Sequence, residues 1–165
     1  MTRTRLVLAL LAATLAVLLA WHLQPERRLM RSWNKLLDVV EARHARALGA
    51  LLAEDYADRW GYTKASLVQD ARLAFHHFRV LEIRVDQQQV VVEGDQARVT
   101  ALLRIEVQGS ARADEARVTA NALFSPFVLE WRREDSFPWS WKLVRFDQPE
   151  LDLERFRRAT SGALY

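Results

Sequence analysis

The sequence predicts an α+β fold: an N-terminal transmembrane helix, then helices, then a strongly bent antiparallel sheet wrapped on them. Three observations carry this prediction. Residues 6–23, from Leu6 to Leu23, are apolar apart from Thr14 and His22. Between Pro25 and Phe78, apolar residues recur at spacings of three and four. Past Phe78 the spacing becomes two.

A helix of about 18 residues spans about 27 Å, close to the hydrocarbon thickness of a bilayer. Secretory signals have shorter apolar regions and a small-x-small cleavage site. Leu18-Leu19-Ala20 is a poor match to such a site. Residues 6–23 therefore read as an uncleaved anchor, with a cleaved signal as the alternative. Arg3 and Arg5 precede the segment; Arg27, Arg28, Arg31 and Lys35 follow it. The positive-inside rule would keep the domain cytoplasmic. The short tail with two Arg instead resembles the n-region of a signal sequence. The expected placement is a single pass through a bacterial inner membrane with the domain in the periplasm. Trp21 would sit at the membrane interface.

The chain has 165 residues and a formal charge of +3, with an isoelectric point near 9.7. Residues 1–35 hold six cations against Glu26 alone, a net of +5, so the remainder carries −2. The basic excess thus sits beside the membrane segment, which argues against nucleic acid as a partner. Cysteine is absent. That excludes disulfides, Cys-based zinc sites, a thiol nucleophile and lipoprotein anchoring. The expected organisation is a membrane segment at 1–24, one domain at 25–158 and a tail at 159–165.

Pro25 suits the first turn of a helix. Leu29, Trp33, Leu36, Leu37, Val40, His44, Ala47, Leu48 and Leu51 then form one apolar stripe on a helix of about seven turns. His44, on that stripe, reads as a buried histidine. An aromatic-rich turn follows at 54–62, and Thr63 can cap the next helix. Leu67, Ala71, Ala74, Phe75 and Phe78 form its stripe. Leu81, Ile83 and Val85 begin a strand, Val90 to Val92 form a short one, and Gly94-Asp95 marks a hairpin turn. Ala97, Val99, Ala101, Leu103, Ile105 and Val107 face one way along the next strand. A polar loop is expected at 109–115. Val118, Ala120, Ala122 and Phe124 then alternate as a strand, with a bulge at Ser125-Pro126 before Phe127, Leu129 and Trp131. The last strand is expected at 139–147, with Trp141 and Leu143 on one face. Pro149 starts a charged helix holding Leu153 and Phe156.

Three features in this order resemble the nuclear transport factor 2-like superfamily, which includes the SnoaL-like proteins. The first is the helix ending in Leu51-Leu52-Ala53-Glu54-Asp55-Tyr56. The second is the helix at 66–78 leading into Leu81-Glu82-Ile83. The third is the closing Trp141-Lys142-Leu143-Val144-Arg145-Phe146. The resemblance implies a cone-shaped curved sheet closed by helices around a pocket. It implies no single chemistry, because the superfamily holds isomerases, dehydratases, epoxide hydrolases, cargo adaptors and assembly modules. Its isomerase-type Tyr and carboxylic-acid set has no residue-by-residue match here, so no catalytic residue is carried over.

Tyr56, Trp60 and Tyr62 cluster at the turn between helices, and Trp131, Trp139 and Trp141 are the richest aromatic set. Tyr56, Trp60, Tyr62, Trp131 and Trp141 are the candidate pocket lining; filling the cone as plain core is the competing reading. Asp55, Asp58 and Asp70 are the carboxylates available for acid–base work. His76-His77 diverge by about 100° on a helix, the wrong spacing for one metal. No metal, cofactor or catalytic set is expected. The leading expectation is a membrane-tethered, non-enzymatic binding or assembly module. It would bind a protein partner or a second copy through its sheet face. The alternative is a small-molecule-binding protein or acid–base enzyme using the cone pocket.

Overall fold

Leu29, Trp33, Leu36 and Val39 lie three or four residues apart on helix α1 (Pro25–Glu41), and all four are buried. That single face is the reason α1 packs into the sheet. The computed structural model describes Thr14 and residues 25–135 and 140–151. The rest of the apolar segment 6–23, the strand start at Trp139 and the helix expected around Leu153 and Phe156 lie outside these residues. Among the described residues, no helix is long and apolar enough to cross a membrane.

After α1 come α2 (Ala45–Leu51) and α3 (Lys64–Phe75), then β1 (Phe78–Glu93) and β2 (Gln96–Gly109). Helix α4 (Ala111–Asn121) follows, then β3 (Phe127–Arg133) and β4 (Trp141–Asp147). The four strands form one antiparallel sheet in the order β1-β2-β3-β4. The Gly94-Asp95 hairpin is present, with Glu93 opposite Gln96 and Gly94 at φ 61. The strand residues 81–92 form one long strand rather than two. Its register slips between Val85 and Gln87, the place where the long ribbon bends.

The expected seven-turn helix is broken in two. Arg43 adopts a left-handed conformation, φ 57. His44 N–H donates to the Val39 carbonyl and Arg43 N–H to the Val40 carbonyl. This is a Schellman stop with arginine in the position usually held by glycine. A left-handed non-glycine residue costs about 1–2 kcal/mol. The break also turns His44 outward: it is exposed, not buried.

The strand expected through Val118 and Phe124 is instead the end of helix α4, which stops at Asn121, and an irregular link that holds Phe124; the helix starts at Ser110, inside the expected polar loop. Arg, Ala and Glu dominate 111–117 and favour helix, whereas Val118 and Phe124 are 58% and 87% exposed. The phase change at Pro126 is therefore a helix-to-strand junction, not a bulge. Helix α4 replaces a sheet neighbour for β2. The Asn121 side chain accepts from Ile105 N–H and donates to the Ile105 carbonyl, at 2.8 and 2.9 Å.

Thr63 caps α3 as its position suggests. Thr63 N–H donates to Ser66 Oγ at 2.9 Å, and Ser66 N–H to Thr63 Oγ1. The core lies between α1 and the concave face of the sheet, where Ala97, Val99, Ala101, Phe127, Leu129, Trp131, Trp141 and Leu143 are buried. That is the face expected from the alternation in these strands.

Candidate functional site

The five aromatic candidates divide into two groups. Trp131 on β3 and Trp141 on β4 point into the space between α1 and the sheet, 1% and 0% exposed. Neither indole N–H has a hydrogen-bond partner among the described residues. Tyr56 joins them, 2% exposed. It is held there because Ala53 and Ala57 N–H groups donate to the β4 carbonyls of Leu143 and Val144. With Trp33, these side chains share the core between α1 and the curved sheet. Trp131 also backs a cleft of about 320 Å³ lined by residues of all four strands, among them Val91, Arg98, Glu130 and Val144.

Trp60 and Tyr62 sit on the loop between α2 and α3. Asp58 organises that loop. Its Oδ1 accepts the N–H groups of Trp60 and Tyr62, each at 2.9 Å. Its Oδ2 accepts the Tyr56 hydroxyl at 3.1 Å. Gly61, at φ 81, permits the tight return that bridges Ala57 to Thr63. The Trp60 indole N–H donates to the Leu151 carbonyl at 3.0 Å, and its ring lies 5.6 Å from that of Phe146. The Tyr62 hydroxyl donates to Asp70 Oδ2 at 2.9 Å. The polar tips of Trp60 and Tyr62 are therefore bonded within the protein.

Two tyrosine–carboxylate pairs result, and only Tyr56–Asp58 reaches the interior. Burial, followed by the negative charge and hydrogen bond of Asp58, pushes the Tyr56 phenol far up. A phenol held neutral in this way donates a hydrogen bond and stays unionised near neutral pH. Asp58 spends both oxygens on protein donors.

An open groove of about 1620 Å³ lies elsewhere, between α2 and α3. None of the five aromatic candidates lines it. Its floor is built from Ala47, Gly49, Ala50, Ala65, Val68 and Phe75. A Cβ added at Gly49 would stand 3.0 Å from Val68, so the helices already meet at the bottom. Arg43, His44, Arg46, Lys64, Arg72 and His76 stand around it, with Glu54 the acidic residue among the lining. Lys64 Nζ donates to Glu54 at 2.5 Å. The stop at Arg43 makes this groove, because it swings α2 off the axis of α1. The sequence signal was the run Ala42-Arg43-His44-Ala45-Arg46-Ala47, where short side chains alternate with basic ones.

No protein-family model and no curated protein matches the chain in sequence. In structure it is similar to a protein of Bdellovibrio bacteriovorus, with a TM-score of 0.58 and 12% identity over 73% of this chain. The chain spans 40% of that protein's length. It is similar to a nuclear transport factor 2-like protein of unknown function from Pseudomonas putida. There the TM-score is 0.55 and the identity 15%, covering 79% of this chain and 89% of that one. A candidate dehydratase of the nuclear transport factor 2-like family from Streptomyces avermitilis gives a TM-score of 0.51 at 14% identity. That match covers 73% of this chain and 91% of the other. The described residues thus have the nuclear transport factor 2-like fold, as the resemblance implied.

Proposed function

We propose that this nuclear transport factor 2-like fold serves as a non-catalytic binding module, tethered to a bacterial inner membrane by residues 6–23 and facing the periplasm. One observation carries the proposal: the cone is occupied by the protein's own side chains. Trp33, Tyr56, Trp131 and Trp141 are each at most 2% exposed and share one core with Leu29, Leu52 and Val99. Ligand pockets of this kind of fold need an open cavity with convergent polar groups. The tether rests on the length of the apolar segment and its basic flanks. The outer sheet face carries ion pairs such as Arg98–Glu130 and Arg104–Asp86. A partner or second copy docking there would have to desolvate them.

The acid–base enzyme reading draws support from the Tyr56–Asp58 pair. Against it stand the committed hydrogen bonds of Asp58 and the raised phenol of Tyr56.

Indole binding tests the proposal. Indole should leave the melting temperature of the detergent-solubilised chain unchanged. It should raise that of Trp131→Ala, or of the milder Leu129→Ala, by filling the cavity made. Saturable stabilisation of the unaltered chain by indole would contradict a filled cone. The tether is tested separately: the chain should stay with membranes through alkaline carbonate extraction, and release would contradict it.

A further inference from the structure

We infer that the groove between α2 and α3 docks an acidic amphipathic helix of a protein partner; this rests on the binding-module reading and names its site and the chemistry of its partner. Size comes first. The groove, at about 1620 Å³, exceeds the roughly 300–1,000 Å³ of small-molecule pockets, and it is open along its length. Three turns of helix, ~10 Å across and ~16 Å long, displace on the order of 1,300 Å³. The wall of α3, 12 residues long, offers ~18 Å of matching length.

Charge fixes the sign of the partner. On the sheet and its flanking loop, Arg59, Arg98, Arg104, Arg132 and Arg133 each hold a carboxylate, and only the scattered Arg79, Arg84 and Arg145 are exposed without an ion pair among the described residues. At the groove, Arg46 and Arg72 are exposed and have no ion pair among the described residues. Glu54, the acid of the lining, is taken by Lys64. A local basic rim over an apolar floor therefore stands on a domain, 25–158, whose net charge is close to zero. An acidic helix with one apolar face fits both parts at once. The strained Arg43 belongs to the same rim: a costly left-handed arginine holds cationic charge where glycine would be easier.

Position argues against a lipid surface. The groove begins past the C-terminal end of α1, 17 residues and therefore about 25 Å from Pro25, where the apolar segment joins. If residues 6–23 hold a bilayer, as the tether reading requires, it would meet the other end of that helix first.

The experiment is site-specific photo-crosslinking of the full chain in the bacterium it comes from, with benzoylphenylalanine replacing the exposed Ala50 or Ala65. The expected adduct maps to a segment of another protein with acidic and apolar residues at helical spacing. The charge-reversed chain, Arg46→Glu with Arg72→Glu, should lose the adduct about tenfold, and Lys in place of the partner's acidic residues should restore it. Adducts confined to phospholipid, adducts confined to a second copy of this chain, absence of adducts, or adducts indifferent to charge reversal would each overturn the proposal. Carbonate extraction of the same membranes reports on the tether independently. Loss of the groove adduct with the chain still membrane-bound thus counts against the groove alone.

Discussion

The interior of the cone and the groove outside it are both concave, both walled by helices and both rich in apolar side chains. They differ in the size of the residues that line them. The core under the curved sheet receives Trp33 from α1, Tyr56 from the segment after α2, Trp131 from β3 and Trp141 from β4, each at most 2% exposed. The groove receives Ala47, Gly49, Ala50 and Ala65, which leave room. Side-chain volume thus closes the core and leaves the groove outside it open. The fold sets where concavities arise; side-chain size decides which of them stays open.

The largest expected effect breaks the filled side. Trp33→Ala should cost about 3–5 kcal/mol in urea unfolding, because a fully buried indole leaves a cavity that neighbours only partly close. A cost below ~1 kcal/mol would mean that the cone is loosely packed. Asp58→Ala should cost about 1–3 kcal/mol, since it strands two backbone N–H groups and the Tyr56 hydroxyl. The same denaturation measurement reads it, together with faster amide exchange at Trp60 and Tyr62.

The groove side predicts a different pattern. Arg43→Gly should stabilise the fold by up to about 1 kcal/mol while removing a rim cation, so stability and partner capture should move in opposite directions. The Arg46→Glu, Arg72→Glu pair should change stability by less than about 0.5 kcal/mol, as exposed and unpaired charges do.

The smallest effect concerns acid. The Arg132 guanidinium holds the Asp55 carboxyl below its ordinary value of 3.8. This pairing supports the fold above about pH 4 and is lost as the pH falls through the lowered value. Arg132→Gln should therefore begin acid unfolding at a slightly higher pH, followed by circular dichroism. An unchanged acid transition would show that the exposed pair contributes nothing measurable.

Much of the fold was legible from spacing. The change of period at Phe78 marks the passage from helices to sheet, and the alternation of Ala97, Val99 and Ala101 correctly names the buried face. Thr63 announced its helix. What escaped was local and had a physical cause in each case. The stop at Arg43 carries no glycine or proline, so nothing in the residues contradicts a continuous helix. Val118, Ala120, Ala122 and Phe124 alternate like a strand, although the first two end a largely exposed helix and Phe124 lies beyond it. The site was legible only as a list of aromatics. A tryptophan that lines a pocket and one that fills it have the same spacing, and only packing separates them. The groove depends on two helices meeting at Gly49 and Val68, a tertiary relation that no run of residues displays.

The claim that recognition has moved outside rests on a closed interior, and methyl NMR of the leucine- and valine-labelled chain under xenon pressure tests it most directly. Xenon enters dry apolar cavities of the size an empty cone would offer. The account predicts no saturable shift at the methyls of Val99, Leu129 and Leu143 as xenon pressure rises. Saturable shifts at these three residues would show an open cone and contradict it.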